Sequence, residues 1–206
     1  MTADSEGEYA VVIERNVEAA MRDGTILRAD IWRPDTEGKF PILIERTPYD
    51  KTGSSESKYG AGEYYAPRGY VTVIQDVRGR FASDGEYYPF RDDGDGEKQD
   101  GYDTVEWAAK QPWSNGKIGT IGGSYSGVTQ YRMLSTQPPH LGAQFVRQSS
   151  SDYYDEWVYR GGVFEHGFNM AWTLTHTASN ARRLAAVGSE DEVEKQTAKA
   201  AENYQE

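Results

Sequence analysis

Lys117-Ile118-Gly119-Thr120-Ile121-Gly122-Gly123-Ser124-Tyr125-Ser126-Gly127 decides how the chain reads. Its first half is a short apolar strand, its middle a glycine-lined turn and its end a helix start, with Ser124 at the apex. A serine hydroxyl is a weak nucleophile. It must be exposed, set beside a base and surrounded by donors for the charge it creates. A sharp strand-to-helix turn supplies the exposure, and small residues two before and two or three after relieve the crowding. Gly122 stands two before Ser124. Two after stands Ser126 where glycine is usual, and Gly127 follows. The stretch therefore reads as a nucleophile elbow.

Outward from it, the chain alternates strand and helix patterns. Tyr9 to Ala20 and Thr25 to Arg33 flank the turn Met21-Arg22-Asp23-Gly24 and read as an antiparallel pair. Phe40 to Glu45 and Tyr70 to Gln75 are continuous apolar runs, as strands covered on both faces require. Gly101 to Lys110 has helical spacing at Tyr102, Val105 and Ala109, with Trp107 off that face. Tyr125 to Ser135 reads as the helix leaving the turn, and Gly142 to Arg147 as another strand. This alternation predicts an α/β fold with a mainly parallel sheet and flanking helices. Parallel strands are expected near 41–46, 70–76, 117–122 and 143–149. Asp92-Asp93-Gly94-Asp95-Gly96-Glu97 lacks the spacing of a calcium loop and reads as solvated. After about residue 150 aromatic residues crowd into Asp152 to Trp172, and the remainder is polar and helix-forming, with too few apolar residues in Val193 to Tyr204 for a core.

Composition narrows the chemistry. The chain has 206 residues, 37% hydrophobic and 13% aromatic, which is enough for one sizeable core. A formal charge of −11 argues against nucleic acid and anionic membrane as partners. The absence of cysteine excludes disulfides, thiolate metal sites and a cysteine nucleophile. No cofactor or metal is expected. The acidic start lacks an apolar core, and no run approaches the length of a membrane span, so a cytoplasmic location is expected.

Five segments in order carry a closer likeness: Arg46-Thr47-Pro48-Tyr49-Asp50-Lys51, Asp76 to Gly85, Asp100-Gly101-Tyr102-Asp103-Thr104-Val105-Glu106-Trp107, Gln111 to Lys117 and Gly122-Gly123-Ser124-Tyr125. The series resembles the cocaine esterase / X-prolyl dipeptidyl peptidase (CocE/NonD) family of α/β-hydrolases, over roughly residues 10 to 175. The resemblance implies a serine hydrolase of esters or amides working through an acyl-enzyme. It matches Ser124 to the nucleophile, the Tyr49 hydroxyl to one oxyanion donor and the Tyr125 backbone N–H to the other. A helix N-terminus independently suits that last role, because its N–H groups and dipole favour negative charge. One preorganised donor is typically worth about 3–4 kcal/mol in the barrier.

The resemblance also implies that the triad acid and histidine come later than residue 206. It divides the chain into 1–150, the N-terminal part of a hydrolase domain, and 151–206, the start of a helical cap. Trp157, Phe164, Phe168 and Trp172 are the candidate apolar wall for substrate. His140 reads as a surface residue, and His166 and His176 as parts of the aromatic stretch. Arg78 and Asp84 read as loop-fixing charges, Asp100 and Asp103 as helix-start residues. The expected substrate is a small ester, amide or short peptide. The expected protein partner is a C-terminal half or a second copy of the chain. The competing reading is a non-catalytic α/β-hydrolase-like domain that binds through an exposed sheet edge.

Overall fold

A computed structural model describes residues 9–52, 61–94 and 96–187. The chain divides into two compact units, Met1–Ser151 and Asp152–Glu206. Within the first, β1 (Val11–Ala20) and β2 (Ile26–Pro34) form the antiparallel opening pair. There follow β3 (Phe40–Thr47), α1 (Ala61–Tyr65), β4 (Val71–Asp76), α2 (Asp100–Ala109), β5 (Ser114–Gly123), α3 (Tyr125–Leu134) and β6 (Leu141–Arg147). The sheet order is β1-β2-β4-β3-β5-β6. Strands β4, β3, β5 and β6 run parallel, and β2 joins β4 antiparallel. The mainly parallel sheet with flanking helices is thus the one the alternation predicts.

Its core follows from alternation along the strands. Ala29, Ile31, Ile42, Ile44, Val71, Val73 and Ile118 pack with Val105 and Ala108 of α2 and Met133 of α3, each at most 2% exposed. The opposite face carries α1, where a Cβ on Gly62 would lie 2.4 Å from the Trp32 ring. Trp107 does not point away from the core: it packs against Ala19, Met21 and Leu27 as well as the main cluster. Strand β5 starts at Ser114, three residues before the expected start at Lys117, because the Trp113 carbonyl accepts from Phe40 N–H at 2.9 Å and sets the ladder earlier.

At the C-terminal end of this core, apolar packing gives way to buried charge. Arg46 donates to Gln75 Oε1 at 2.9 Å and to Asp93 at 2.5 Å. Thr104 Oγ1 donates to the same Gln75 oxygen at 2.9 Å. Arg78 reaches Asp100 at 2.9 and 2.6 Å, Asp23 at 2.8 Å and Thr25 Oγ1 at 2.5 Å. One expectation is corrected here. The Asp92 to Glu97 segment is not simply solvated, since Asp93 is buried against Arg46. Asp100 and Asp103 do open α2, yet their side chains hold Arg78 and Arg22 respectively. Asp84 fixes its loop by pairing with Arg28 at 2.7 Å.

The second unit contains a π-helical turn (Tyr154–Val158), a short hairpin of β7 (Tyr159–Arg160) and β8 (Val163–Phe164), and α4 (His166–Val187). Asp152 caps the turn by accepting from Tyr154 N–H and Asp155 N–H at 2.9 and 3.0 Å. The polar stretch Val193 to Tyr204 lies outside the described residues. Among those described, no helix is long and apolar enough to cross a membrane.

Removing the Arg78 guanidinium would take from Asp100, 1% exposed in its side chain, both of its hydrogen-bonded guanidinium contacts and leave it only Arg46 at 4.0 Å. Arg78→Ala is expected to cost about 3–5 kcal/mol of unfolding free energy, read from urea midpoints. Hydrogen bonding to Arg78 also lowers the Asp23 carboxyl from 3.8 to about 2. A carboxyl depressed on folding adds stability above its unfolded pKa and loses it as pH falls through the folded value. The stability gap between the parent and Asp23→Asn should therefore be constant above pH 3.8 and close as pH falls towards about 2. A gap independent of pH down to that limit would contradict this origin.

Candidate active site

The order of strands positions the site. The chain leaves β3 through α1 to β4 on one side, and leaves the neighbouring β5 through α3 to β6 on the other. Connections that diverge in this way open a crevice at the carboxyl ends of the two strands, where ligands bind in open α/β sheets. Tyr49 follows β3 and Ser124 follows β5, so both stand at that crevice.

Ser124 has φ 54° and ψ −121°, a conformation that non-glycine residues rarely adopt. Such strain costs on the order of 1–3 kcal/mol and persists only where the surroundings overdetermine it. Here they do. Ser124 N–H donates to the Arg147 carbonyl at 3.1 Å, and the Ser124 carbonyl accepts from Gly127 N–H, Val128 N–H and Ser149 Oγ at 3.0, 3.1 and 2.9 Å. Gly122, at φ 146°, lies so close to the helix start that a Cβ would sit 2.5 Å from Ser126 Cβ. Gly127 similarly admits Ser149, whose Cβ would be 2.5 Å from an added Cβ.

Gln130 is the residue that motif reading missed. It is 3% exposed; its amide donates to the Gly122 and Ser126 carbonyls at 3.2 and 3.0 Å, and its Oε1 accepts from Thr120 at 2.8 Å. It thereby fastens α3 to the strand that feeds the turn. A buried glutamine two turns into a helix carries no local signal of such a role. Glu45 lies fully buried below the turn, with Ser126 Oγ 3.5 Å from its Oε1.

The Tyr49 hydroxyl lies 3.5 Å from Ser124 Oγ. Tyr125, next to Ser124, opens α3, so its N–H belongs to the first turn, where a helix has no internal acceptor to offer. Its side chain is 1% exposed and accepts from Phe90 N–H at 3.1 Å. Burial raises the phenols of Tyr125 and Tyr87 above their ordinary range, so both stay protonated. Tyr49 packs edge-on against the Tyr125 ring, with centroids 6.3 Å apart.

The histidines are placed differently. His140 stands just before β6, at the other end of the strand from the segment beside Ser124, and pairs with Glu106 at 2.8 Å. His166 opens α4 and His176 is buried within the second unit, 4.0 Å between ring centroids from Trp172. The four candidate wall residues all lie in this unit. Trp157 packs on Phe168 and Phe164 on Tyr159, while Phe164 and Phe168 remain 44% and 45% exposed. Among the described residues, no cluster of three or more His, Asp or Glu side chains is arranged to hold a metal ion.

The X-Pro dipeptidyl-peptidase (S15 family) profile matches residues 23–206. Cocaine esterase from Rhodococcus sp. (strain MB1 Bresler) is 37% identical over 173 residues, covering 82% of this chain and 29% of the esterase. The crystal structure of a CocE/NonD family hydrolase from Staphylococcus aureus superposes with TM-score 0.73 at 33% identity, covering 82% of this chain and 33% of that one. An α-amino acid ester hydrolase gives TM-score 0.60 at 29% identity, covering 80% of this chain and 30% of its own. The chain therefore spans about a third or less of the length of these relatives.

The crowding at the turn makes a direct prediction. Gly122→Ala should lower stability by about 1–3 kcal/mol, as overpacking does. Ser126→Gly removes the nearest clashing atom, so the double variant should lose less than the sum of the two single changes, by about 1 kcal/mol. Unfolding midpoints of all four proteins check this, and strictly additive losses would refute the steric account.

Proposed function

The chain belongs to the X-Pro dipeptidyl-peptidase (S15) family, and from that premise we propose that it carries the nucleophile half of a serine hydrolase acting on esters or amides. Its fold is the α/β-hydrolase fold, represented by the N-terminal half of the sheet. In this reading the β5–α3 turn is a nucleophile elbow. The observation that carries the reading is Ser124 itself: a strained serine at the strand-order reversal, with a tyrosine hydroxyl 3.5 Å from its Oγ.

In the proposed reaction Ser124 Oγ attacks the acyl carbonyl and its proton passes to a base. The Tyr49 hydroxyl and the Tyr125 N–H donate to the oxygen that becomes negative. Collapse of the tetrahedral adduct expels an alcohol or amine that takes up the proton, leaving the acyl group on Ser124 for water to remove. The dipole of α3 adds positive potential at that oxygen. The acid and histidine of the triad are assigned outside residues 1–206. The distance of His140 along the sheet supports this, as does the share of its relatives that the chain spans. Trp157, Phe164, Phe168 and Trp172 are assigned to binding an acyl or leaving group, the exposed rings of Phe164 and Phe168 being the support. Acyl esters and X-Pro peptides are the proposed substrate classes, following the activities named for the relatives.

The test uses the full-length gene product that contains these residues, with p-nitrophenyl esters. Ser124→Ala should abolish enzymatic turnover, and Tyr49→Phe should lower kcat by about 10²–10³-fold, the usual effect of losing one oxyanion donor. A folded parent protein with no turnover above the uncatalysed rate, equal to that of Ser124→Ala, would instead support a non-catalytic binding domain. The exposed edge strand β6, with Phe145 60% exposed, is the feature that such a domain would use.

A further inference from the structure

Tyr49 lies on a loop beyond the end of β3, and a loop is a poor place from which to aim a hydroxyl. The backbone on either side of it is nevertheless fixed. Before it, Arg80 Nε donates to the Pro48 carbonyl at 3.0 Å, and Val77 N–H donates to the Thr47 carbonyl at 3.0 Å. After it, Lys51 donates to Asp76 twice, from its backbone N–H at 2.9 Å and from Nζ at 2.8 Å. Within the loop, Tyr49 N–H donates to Thr47 Oγ1 at 3.1 Å, and Asp50 takes a φ of 78° that turns the chain back towards Asp76.

The groups involved are deeply buried: Asp76 is 0% exposed, Arg80 1% and Lys51 4%. Burial raises the Asp76 carboxyl, and Lys51 opposes that rise. Ala82 N–H also donates to Asp76 at 3.2 Å, and Ser83 Oγ donates to the Asp76 carbonyl at 2.6 Å, so the receiving side is itself rigid. Buried pairs of this kind contribute little net stability relative to apolar packing. What they supply is a fixed geometry, and the segment they fix is the one that carries Tyr49.

We propose that Lys51, Asp76 and Arg80 are positioning residues for the Tyr49 hydroxyl, a two-sided clamp that holds the 48–51 loop against the end of β4. The clamp rests on the proposed oxyanion role of Tyr49. Its members are assigned no part in the reacting atoms and act through the loop that carries Tyr49. A displacement of about 1 Å at a catalytic group can lower a rate by on the order of 10²-fold, so a slackened loop is felt in kcat before it is felt in folding.

The experiment is a double-mutant comparison in the full-length gene product. Two clamp variants, Arg80→Lys and the charge-free pair Lys51→Met with Asp76→Asn, are each made with Tyr49 present and with Tyr49→Phe. With Tyr49 present, each should lower kcat by about ten- to a hundredfold with KM within about threefold. With Tyr49→Phe, the same changes should alter kcat by less than about twofold, because the hydroxyl they aim is gone. A merely structural role would give equal losses in both backgrounds, and that result would overturn the clamp. So would kcat unchanged in the Tyr49 background, or failure of both variants to fold. Tyr49→Phe turning over at the parent rate overturns the oxyanion role beneath it. Turnover indifferent to Ser124→Ala overturns the hydrolase reading as a whole. The three failures are distinguishable.

Discussion

The site depends on one topological constraint: β3 and β5 are neighbours, yet the chain leaves β3 towards β4 and leaves β5 towards β6, so the two connections run apart. No side chain creates the resulting crevice. It follows from strand order, and everything chemical in this chain gathers at its rim. Ser124 comes from one strand end and Tyr49 from the other, and the loop at the end of β4 braces Tyr49 from behind. The apolar core beneath needs only to fill the space between sheet and helices, which alternating Ile and Val residues on β3 and β4 do with helix residues of matching size.

Above that core the chain buries charge. Arg46 and Arg78 are each 5% exposed, surrounded by Asp93, Asp100 and Asp23. The desolvation of such groups is large, and their mutual attraction repays it only when hydrogen bonding is nearly complete. Apolar residues could fill the same volume, but they would not fix direction. The guanidinium of Arg78 binds the hairpin turn and the first turn of α2 simultaneously, so the opening pair and the helix are held in a single arrangement. Directional bonds therefore do for the upper layer what close packing does for the lower one.

Much of this is legible in sequence, for a physical reason. Strand alternation, glycines at a sharp turn and a serine between them are local patterns, and local patterns survive in a linear string. The strands and helices accordingly fall within a few residues of their expected bounds. Tyr49 is different. Nothing local marks it, and only the resemblance of its neighbourhood to a known family drew attention to it. Gln130, Arg46 and Asp93 stayed hidden because their roles depend on partners far along the chain. Asp93 reads as solvated among its acidic neighbours until Arg46, 47 residues earlier, is seen to cover it. The start of β5 was likewise set by a backbone bond to β3 rather than by hydropathy.

The bond between Arg22 and Asp103 joins residues 81 positions apart. During synthesis the first hairpin leaves the ribosome before the aspartate that receives it has been decoded. At the usual pace of about 5–20 residues per second, the interval is roughly 4–16 seconds. Until β4 is made and pairs with β2, β1 and β2 have only each other, and two strands alone are marginally stable in water. The opening of this chain is thus first in order of synthesis, while the helix that secures it arrives only after β3 and β4 have been made.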